Sequence, residues 1–169
     1  MFILLLEGVV SEVKKVQIFI VLALLAAVVC SALPAVAWDP NKQHNLGLDN
    51  VNMQWWILDY GTNADKTHFS VVRKYYTNEK IKQDTVEVLM SKFGYSPEVA
   101  GSLYFTEYGF VYTANGAQFA TTYVRHYDML GHMIHGTNYD DSSEETKRTF
   151  SAVVPNHASG KALALALKK

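Results

Sequence analysis

At 169 residues, with 49% hydrophobic and 18% charged content, the chain is long enough for one well-packed domain and too apolar to stay unfolded. A formal net charge of −1, from 15 basic and 16 acidic residues, leaves no basic excess to hold nucleic acid by its phosphates. The single cysteine excludes an internal disulfide and any multi-cysteine metal centre.

Lys14 and Lys15 precede an apolar run from Val16 to Val29, and Ala35-Val36-Ala37 then meets Trp38-Asp39-Pro40. A basic segment, an apolar segment and an Ala-x-Ala exit read as a secretory signal, residues 1–37, cleaved after Ala37. The expectation is an exported bacterial protein, in the periplasm, at the cell surface or secreted, with no membrane span once the signal is gone. Glu7 and Glu12 stand where such a signal should be basic, and a start codon now read as Val13 would give Met-Lys-Lys instead. The alternative is a genuine upstream segment removed with the signal. The apolar run approaches the roughly 20 residues that span a bilayer, so an anchor is the rival reading. Lipid attachment at Cys30 is a third, disfavoured by the bulky Val28-Val29 before it. Removal of residues 1–37 takes away Glu7, Glu12, Lys14, Lys15 and Cys30, which leaves the charge unchanged and the mature domain free of cysteine.

Residues 38–52 are polar and rich in turn formers, and read as a flexible lead-in to a single domain over 53–169. Met53 to Asp59 is a dense apolar and aromatic strand, Tyr60 to Lys66 its turn, and Thr67 to Thr77 an antiparallel partner of β-branched and aromatic residues. The period then lengthens: Ile81, Thr85, Val88, Leu89 and Lys92 fall at helical spacing, with Gly94 placed to end the helix in a left-handed conformation. Ser96-Pro97-Glu98 supplies an N-cap, a first-turn proline and an acid near the positive helix end, opening a second short helix to about Ser102.

Leu103 to Thr113 and Ala117 to Tyr127 flank Asn115-Gly116, a strong hairpin signal. With Ala114 opposite Ala117, an unbroken ladder pairs Tyr112 with Phe119, Tyr108 with Tyr123 and Phe105 with His126, and puts Tyr104, Tyr108, Phe110, Tyr112, Phe119, Tyr123 and Tyr127 on one face. Asp128 to Gly131 turns the chain, His132 to Gly136 returns as a strand, Thr137 to Lys147 is an acidic loop, and Arg148 to Val154 is a last strand stopped by Pro155. His157 to Lys169 is rich in Ala and Leu and reads as a docked helix with its Leu163, Leu167 side inward. The expected fold is α+β: a five- or six-stranded, mainly antiparallel sheet with two short central helices and a C-terminal helix packed on it.

The early Trp-containing strand, the late strand running into Tyr127-Asp128-Met-Leu-Gly131, and Val153-Val154-Pro155-Asn156 ahead of a closing helix resemble the surface-adhesin protein E-like family of small exported bacterial domains. The resemblance spans residues 53–77 and 103–169, with 78–102 as an elaboration, and this chain has no cysteine near its C-terminus. It implies an antiparallel sheet with a packed terminal helix, and a non-enzymatic surface or envelope role.

Candidate chemistry is sparse. His126, His132 and His135 cluster around one hairpin, so a metal or haem site is worth weighing. Residues 132 and 135 point to opposite faces of a regular strand, and no carboxylate or cysteine stands at ligand spacing. No Gly-x-Ser-x-Gly elbow, His-Glu-x-x-His helix or glycine-rich phosphate loop occurs, and Asp140, Asp141, Glu144 and Glu145 lack the spacing of a calcium loop. The expectation is therefore no catalysis, metal or cofactor. The aromatic hairpin face has two readings: the helices cover it as the core, or they leave it open for a protein or envelope partner. The partner-binding candidates are Tyr104, Tyr108, Tyr112, Tyr123 and Tyr127. The function expected is a binding or adhesion module; the alternatives are a structural envelope homodimer or a haem or metal carrier.

Overall fold

The computed structural model describes residues 42–168. The signal segment, its cleavage point and the alternative start at Val13 lie outside the described residues. The strands are β1 (His44–Leu48), β2 (Gln54–Thr62), β3 (His68–Tyr75), β4 (Phe105–Tyr112), β5 (Gln118–Tyr127), β6 (Met133–Asn138) and β7 (Ser151–Ala152); the helices are α1 (Glu79–Ser91), α2 (Pro97–Gly101) and α3 (Ala158–Ala166). β1 to β6 form one antiparallel sheet in chain order, and β7 pairs with β5. The α+β class is as expected from the sequence. Among the described residues no helix is long and apolar enough to cross a membrane.

Residues 44–48, read above as flexible lead-in, instead form the edge strand β1, paired with β2 from His44↔Ile57 to Leu48↔Gln54. The polar composition hid it, because an edge strand buries little; only Leu46 of β1 reaches the core, and Gly47 at φ +84° makes the bulge that turns it inward. The last strand, expected over 148–154, shrinks to two residues beside Gln118 and Phe119. The two central helices stand where the spacing put them. Ser96 Oγ accepts the Val99 amide, and Gly94, at φ +73°, donates its amide to the Met90 carbonyl at 3.1 Å.

The turn at Asn115-Gly116 closes the expected hairpin in a different way. Only Gly116 takes a positive φ (+68°), and its amide bonds the Thr113 carbonyl at 2.8 Å, while Asn115 Oδ1 accepts the Ala117 amide. A type I′ turn needs positive φ at both central residues, so this is a turn with one left-handed glycine at its exit.

The core lies between α3 and one face of the sheet. Leu46, Ile57, Val72, Phe110 and Tyr112 meet Ala162 and Leu163 of the helix. The inward side of α3 is Ser159, Ala162, Leu163 and Ala166, at helical spacing. Leu167, expected inward, is the C-cap residue and 54% exposed, because the helix ends one residue before it. Tyr112 is fully buried; its hydroxyl bonds Ser70 Oγ at 2.8 Å and donates to the Ser159 carbonyl at 2.9 Å, tying strand, strand and helix together. Farther along, Val86 and Leu89 of α1 pack with Ala100 and Leu103 in a second cluster joined by Tyr95 and Ile134.

Candidate functional site

The side chains of a strand alternate between faces, so the register of β3, β4 and β5 decides which residues α3 covers. The ladder starts as the sequence predicts, Tyr112↔Phe119, Val111↔Ala120 and Phe110↔Thr121, then slips by one residue so that Gly109 faces Tyr123. Thr122 is the extra residue, a β-bulge, and Gly109 is its cause. A Cβ on Gly109 would lie 2.4 Å from Tyr123 Cε1 and 2.5 Å from Thr122 Oγ1, so only glycine lets the Tyr123 ring cross the strand there.

The slip corrects the expected single aromatic face. Tyr108, Phe110, Tyr112 and Phe119 lie on the face under α3, and Tyr123 and Tyr127 lie on the other with Phe105. Tyr108 and Tyr112 are thereby removed from the set of partner-binding tyrosines. Tyr112 is wholly buried, and Tyr108 packs against Trp55 and Phe110 on the covered face, where burial pushes its phenol well up. Tyr104 precedes β4 and is 46% exposed, its ring edge-on to Tyr75 at 5.8 Å.

No helix packs on that other face among the described residues, and its side chains are organised laterally. Phe105 stacks on Tyr127 at 4.8 Å, and the Arg73 guanidinium lies 4.1 Å over Phe105. Arg73 Nη2 pairs with Glu107 Oε2 at 3.2 Å, Tyr123 donates its hydroxyl to Glu107 Oε1 at 3.1 Å, and Arg125 sits 4.3 Å over the Tyr123 ring. Burial, and then the Glu107 carboxylate, push the Tyr123 phenol up, so it remains a protonated donor at neutral pH. Arg73 Nε is buried without a hydrogen-bond partner among the described residues. The arrangement holds rings, a carboxylate and two guanidinium groups in fixed positions. Sequence reasoning missed Arg73, Tyr75, Phe105, Glu107 and Arg125; the signal that could have found them was Gly109, inside a strand, as the mark of a bulge.

The histidines separate. His126 and His135 face each other across β5 and β6 with ring centroids 6.3 Å apart, whereas His132 lies in the turn before β6, its Nδ1 3.0 Å from Asp128 Oδ2. His126 Nδ1 is bonded to Thr106 Oγ1 at 2.9 Å, and His135 uses both ring nitrogens, with Tyr95 at 3.3 Å and Thr137 at 3.2 Å. Phe93 stacks on His135 at 3.9 Å. Burial, then His135 and Lys74, push His126 down to about 4, and burial lowers His135 as well. The pair is neutral and acts as a joint between the sheet and the α1–α2 segment. Among the described residues no three His, Cys, Asp or Glu side chains are grouped to hold a metal ion. Asp140, Asp141 and Glu144 are spent on Ser142, Arg148 and Lys147 in the exposed loop.

No family model matches this chain, and no curated protein or solved structure matches it either.

Proposed function

We propose that the domain works after export as a non-enzymatic binding or adhesion module of a bacterial envelope or surface, and that it takes its partner on the sheet face opposite α3. The observation that carries this reading is the fixed array of Tyr75, Tyr104, Tyr123 and Tyr127 with Arg73 and Arg125, backed by the buried Phe105, on a face that no described helix covers. Rings with polar tips and stacked guanidinium groups give large contact area at low entropic cost, which is why such residues dominate binding hot spots. The resemblance to surface-adhesin protein E-like domains and the signal-like Lys14–Ala37 segment support the location. The test is capture of envelope and host-matrix components by the purified protein, compared with Tyr104→Ser/Tyr127→Ser. Loss of capture at an unchanged melting temperature supports the reading; equal capture by parent and variant, or turnover on a substrate panel, ends it. N-terminal sequencing of exported material should begin at Trp38, and material still carrying Val16 to Ala37 would mean an anchor.

One observation favours a second reading, a structural homodimer through the edge strand β6. Met129, Leu130 and Met133 beside that edge are 72%, 76% and 58% exposed, and an unpaired edge can accept another strand. Sedimentation velocity separates the two: a dimer lost in Met133→Lys supports the second reading, and a monomer at all concentrations removes it.

A further inference from the structure

On the covered side of the sheet, away from the tyrosine–arginine surface, an open cavity of about 160 Å³ lies between the start of α3 and the strands. Its walls are Trp55, Phe110 and Phe119, and its polar rim is Asp49, Asn50, His157 and Ser159. The Phe110 and Phe119 rings stand at 74° with centroids 5.2 Å apart, so they form a corner. The Trp55 indole is held in place by its N–H bond to Asp49 Oδ2 at 2.8 Å. The walls are therefore flat, apolar and fixed.

The rim supplies hydrogen-bonding capacity of both kinds. Ser159 is 5% exposed, and its hydroxyl has no hydrogen-bond partner among the described residues, although its carbonyl receives Tyr112. Ser159 lines the open cavity, so its unpaired hydroxyl is free to bond a ligand that enters. The first-turn amides of α3 are available too, because His157 at the N-cap makes no side-chain cap bond. Across from these donors stands the Asp49 carboxylate. Burial raises it, but bonds from the Met53 amide, the Trp55 indole and the Val51 amide, with the Lys74 charge, outweigh that and keep it ionised.

Those features select the ligand. An anion would be drawn by the α3 amides but would meet the ionised Asp49, and no lysine or arginine lines the space to offset that carboxylate. A cation would meet the positive end of α3 and a carboxylate already shared among three donors. The space is also well below the roughly 300 Å³ at which sites for larger organic ligands begin. What remains is a small neutral ring with apolar C–H faces for the aromatic walls and hydroxyls that both donate and accept.

We propose that the Trp55–Phe110–Phe119 cavity is a binding site for a single neutral sugar ring, with Ser159 and Asp49 reading its hydroxyls. This site is independent of the partner surface on the other face, and either can fail without the other.

The experiment is an NMR titration of the purified protein with the methyl glycosides of glucose, galactose and mannose and with N-acetylglucosamine. The readouts are the Trp55 indole and Ser159 amide signals; sodium benzoate and tetramethylammonium chloride are the charged controls. At least one sugar should shift both signals saturably. Ser159→Ala, which keeps a good helix former, should weaken that binding by about tenfold. Phe119→Ala should abolish it, with the Ser159→Ala protein serving as the folded control. No saturable shift with any sugar up to its solubility limit overturns the proposal. So does saturation by benzoate or tetramethylammonium alone, and so does sugar binding that Ser159→Ala leaves unchanged.

Discussion

The two faces of the sheet are made by the same strands with opposite solutions to the same problem. On the covered face the deepest polar groups are joined in closed chains: Ser70 with Tyr112 and the Ser159 carbonyl, and Tyr76 with Thr106 and His126. On the other face the strands carry full charges, Arg73, Glu107 and Arg125, balanced laterally by each other and by aromatic rings. The first arrangement leaves a helix to complete it, because Tyr112 needs the α3 carbonyl and Ile57 and Val72 need an apolar cover. The second has no helix over it: Phe105 is buried within the array, while Tyr104 at its rim is 46% exposed. The covered and open faces are thus divided by the pleat, and Gly109 sets where the division falls.

The hardest way to break this contrast is to uncover the first face. Removal of residues 155–169 takes away α3, leaves the Tyr112 hydroxyl with Ser70 alone and exposes Ile57, Val72 and Phe110 together. A short Ala/Leu helix is marginal in water, so the dependence is mutual. The truncated protein should lose its cooperative melting transition by calorimetry, and a truncated protein that melts like the parent would show α3 to be an idle tail.

Moving the division is the next largest change. Gly109→Val puts a side chain where the Tyr123 ring and Thr122 hydroxyl stand, and should destabilise by about 1–3 kcal/mol in urea titration, as overpacking does. It should also disturb Tyr123 and partner capture. Gly116→Val, at φ +68° and with a new Cβ 3.1 Å from Leu163 Cδ2, should cost about 1 kcal/mol or more without touching the open face. Equal effects of the two on capture would mean that the bulge does not organise the surface.

Much of the covered face was legible in the sequence. The alternation through the strands, the Gly94 stop, the Ser96-Pro97 start and the Ala/Leu tail each carry a local cause that tertiary packing did not override. What was not legible shares one origin: a residue whose effect lies across a strand. The Asn115-Gly116 turn sets a register in which Gly109 would face Thr122, and the ladder slips because glycine leaves room for the Tyr123 ring to lie opposite instead. His44 to Leu48 reads as polar linker because its strand character comes from the ladder with β2 and from Lys161, whose Nζ reaches the Leu46 carbonyl at 2.8 Å. The tyrosine set is divided between the faces. Tyr104, Tyr123 and Tyr127 stand at the open face, Tyr108 and Tyr112 do not, and the arginines that order the surface carry no sequence pattern.

Acid should loosen the covered side alone. His126 is held to about 4 in the fold, chiefly by burial, against about 6.5 in an unfolded chain. Between those values the unfolded chain binds a proton that the folded one refuses, so stability is full above pH 6.5 and falls as pH drops toward 4. Partial exposure of the pair discounts the loss to about 1–2 kcal/mol. Urea midpoints at pH 7 and pH 4.5 should differ accordingly, and His126→Gln should shrink the difference. Protonation also sets two positive rings 6.3 Å apart beside Phe93 and Tyr95, so amide exchange in α1 and α2 should quicken before that in α3.

The smallest effect on stability belongs to Tyr104, and it bears most directly on the division of the faces. Its ring is 46% exposed, it touches Tyr75 and Phe105 edge-on, and its backbone amide already bonds the Tyr127 carbonyl at 2.8 Å without help from the side chain. Edge contacts at a surface contribute little, and substitutions at such sites stay within about 0.5 kcal/mol. Tyr104→Ser should therefore leave the melting curve nearly unchanged. If the open face is a contact surface, the same change should weaken capture of a partner by about tenfold, because a half-exposed aromatic ring at the rim of a ring cluster gains most of its burial only on association. A variant that melts normally and binds normally would mean that Tyr104 lies outside the contact area and that the surface is centred on Tyr123 and Arg125. A variant that melts several degrees lower would mean that the open face shares in holding the sheet together, and the separation of roles between the two faces would fail.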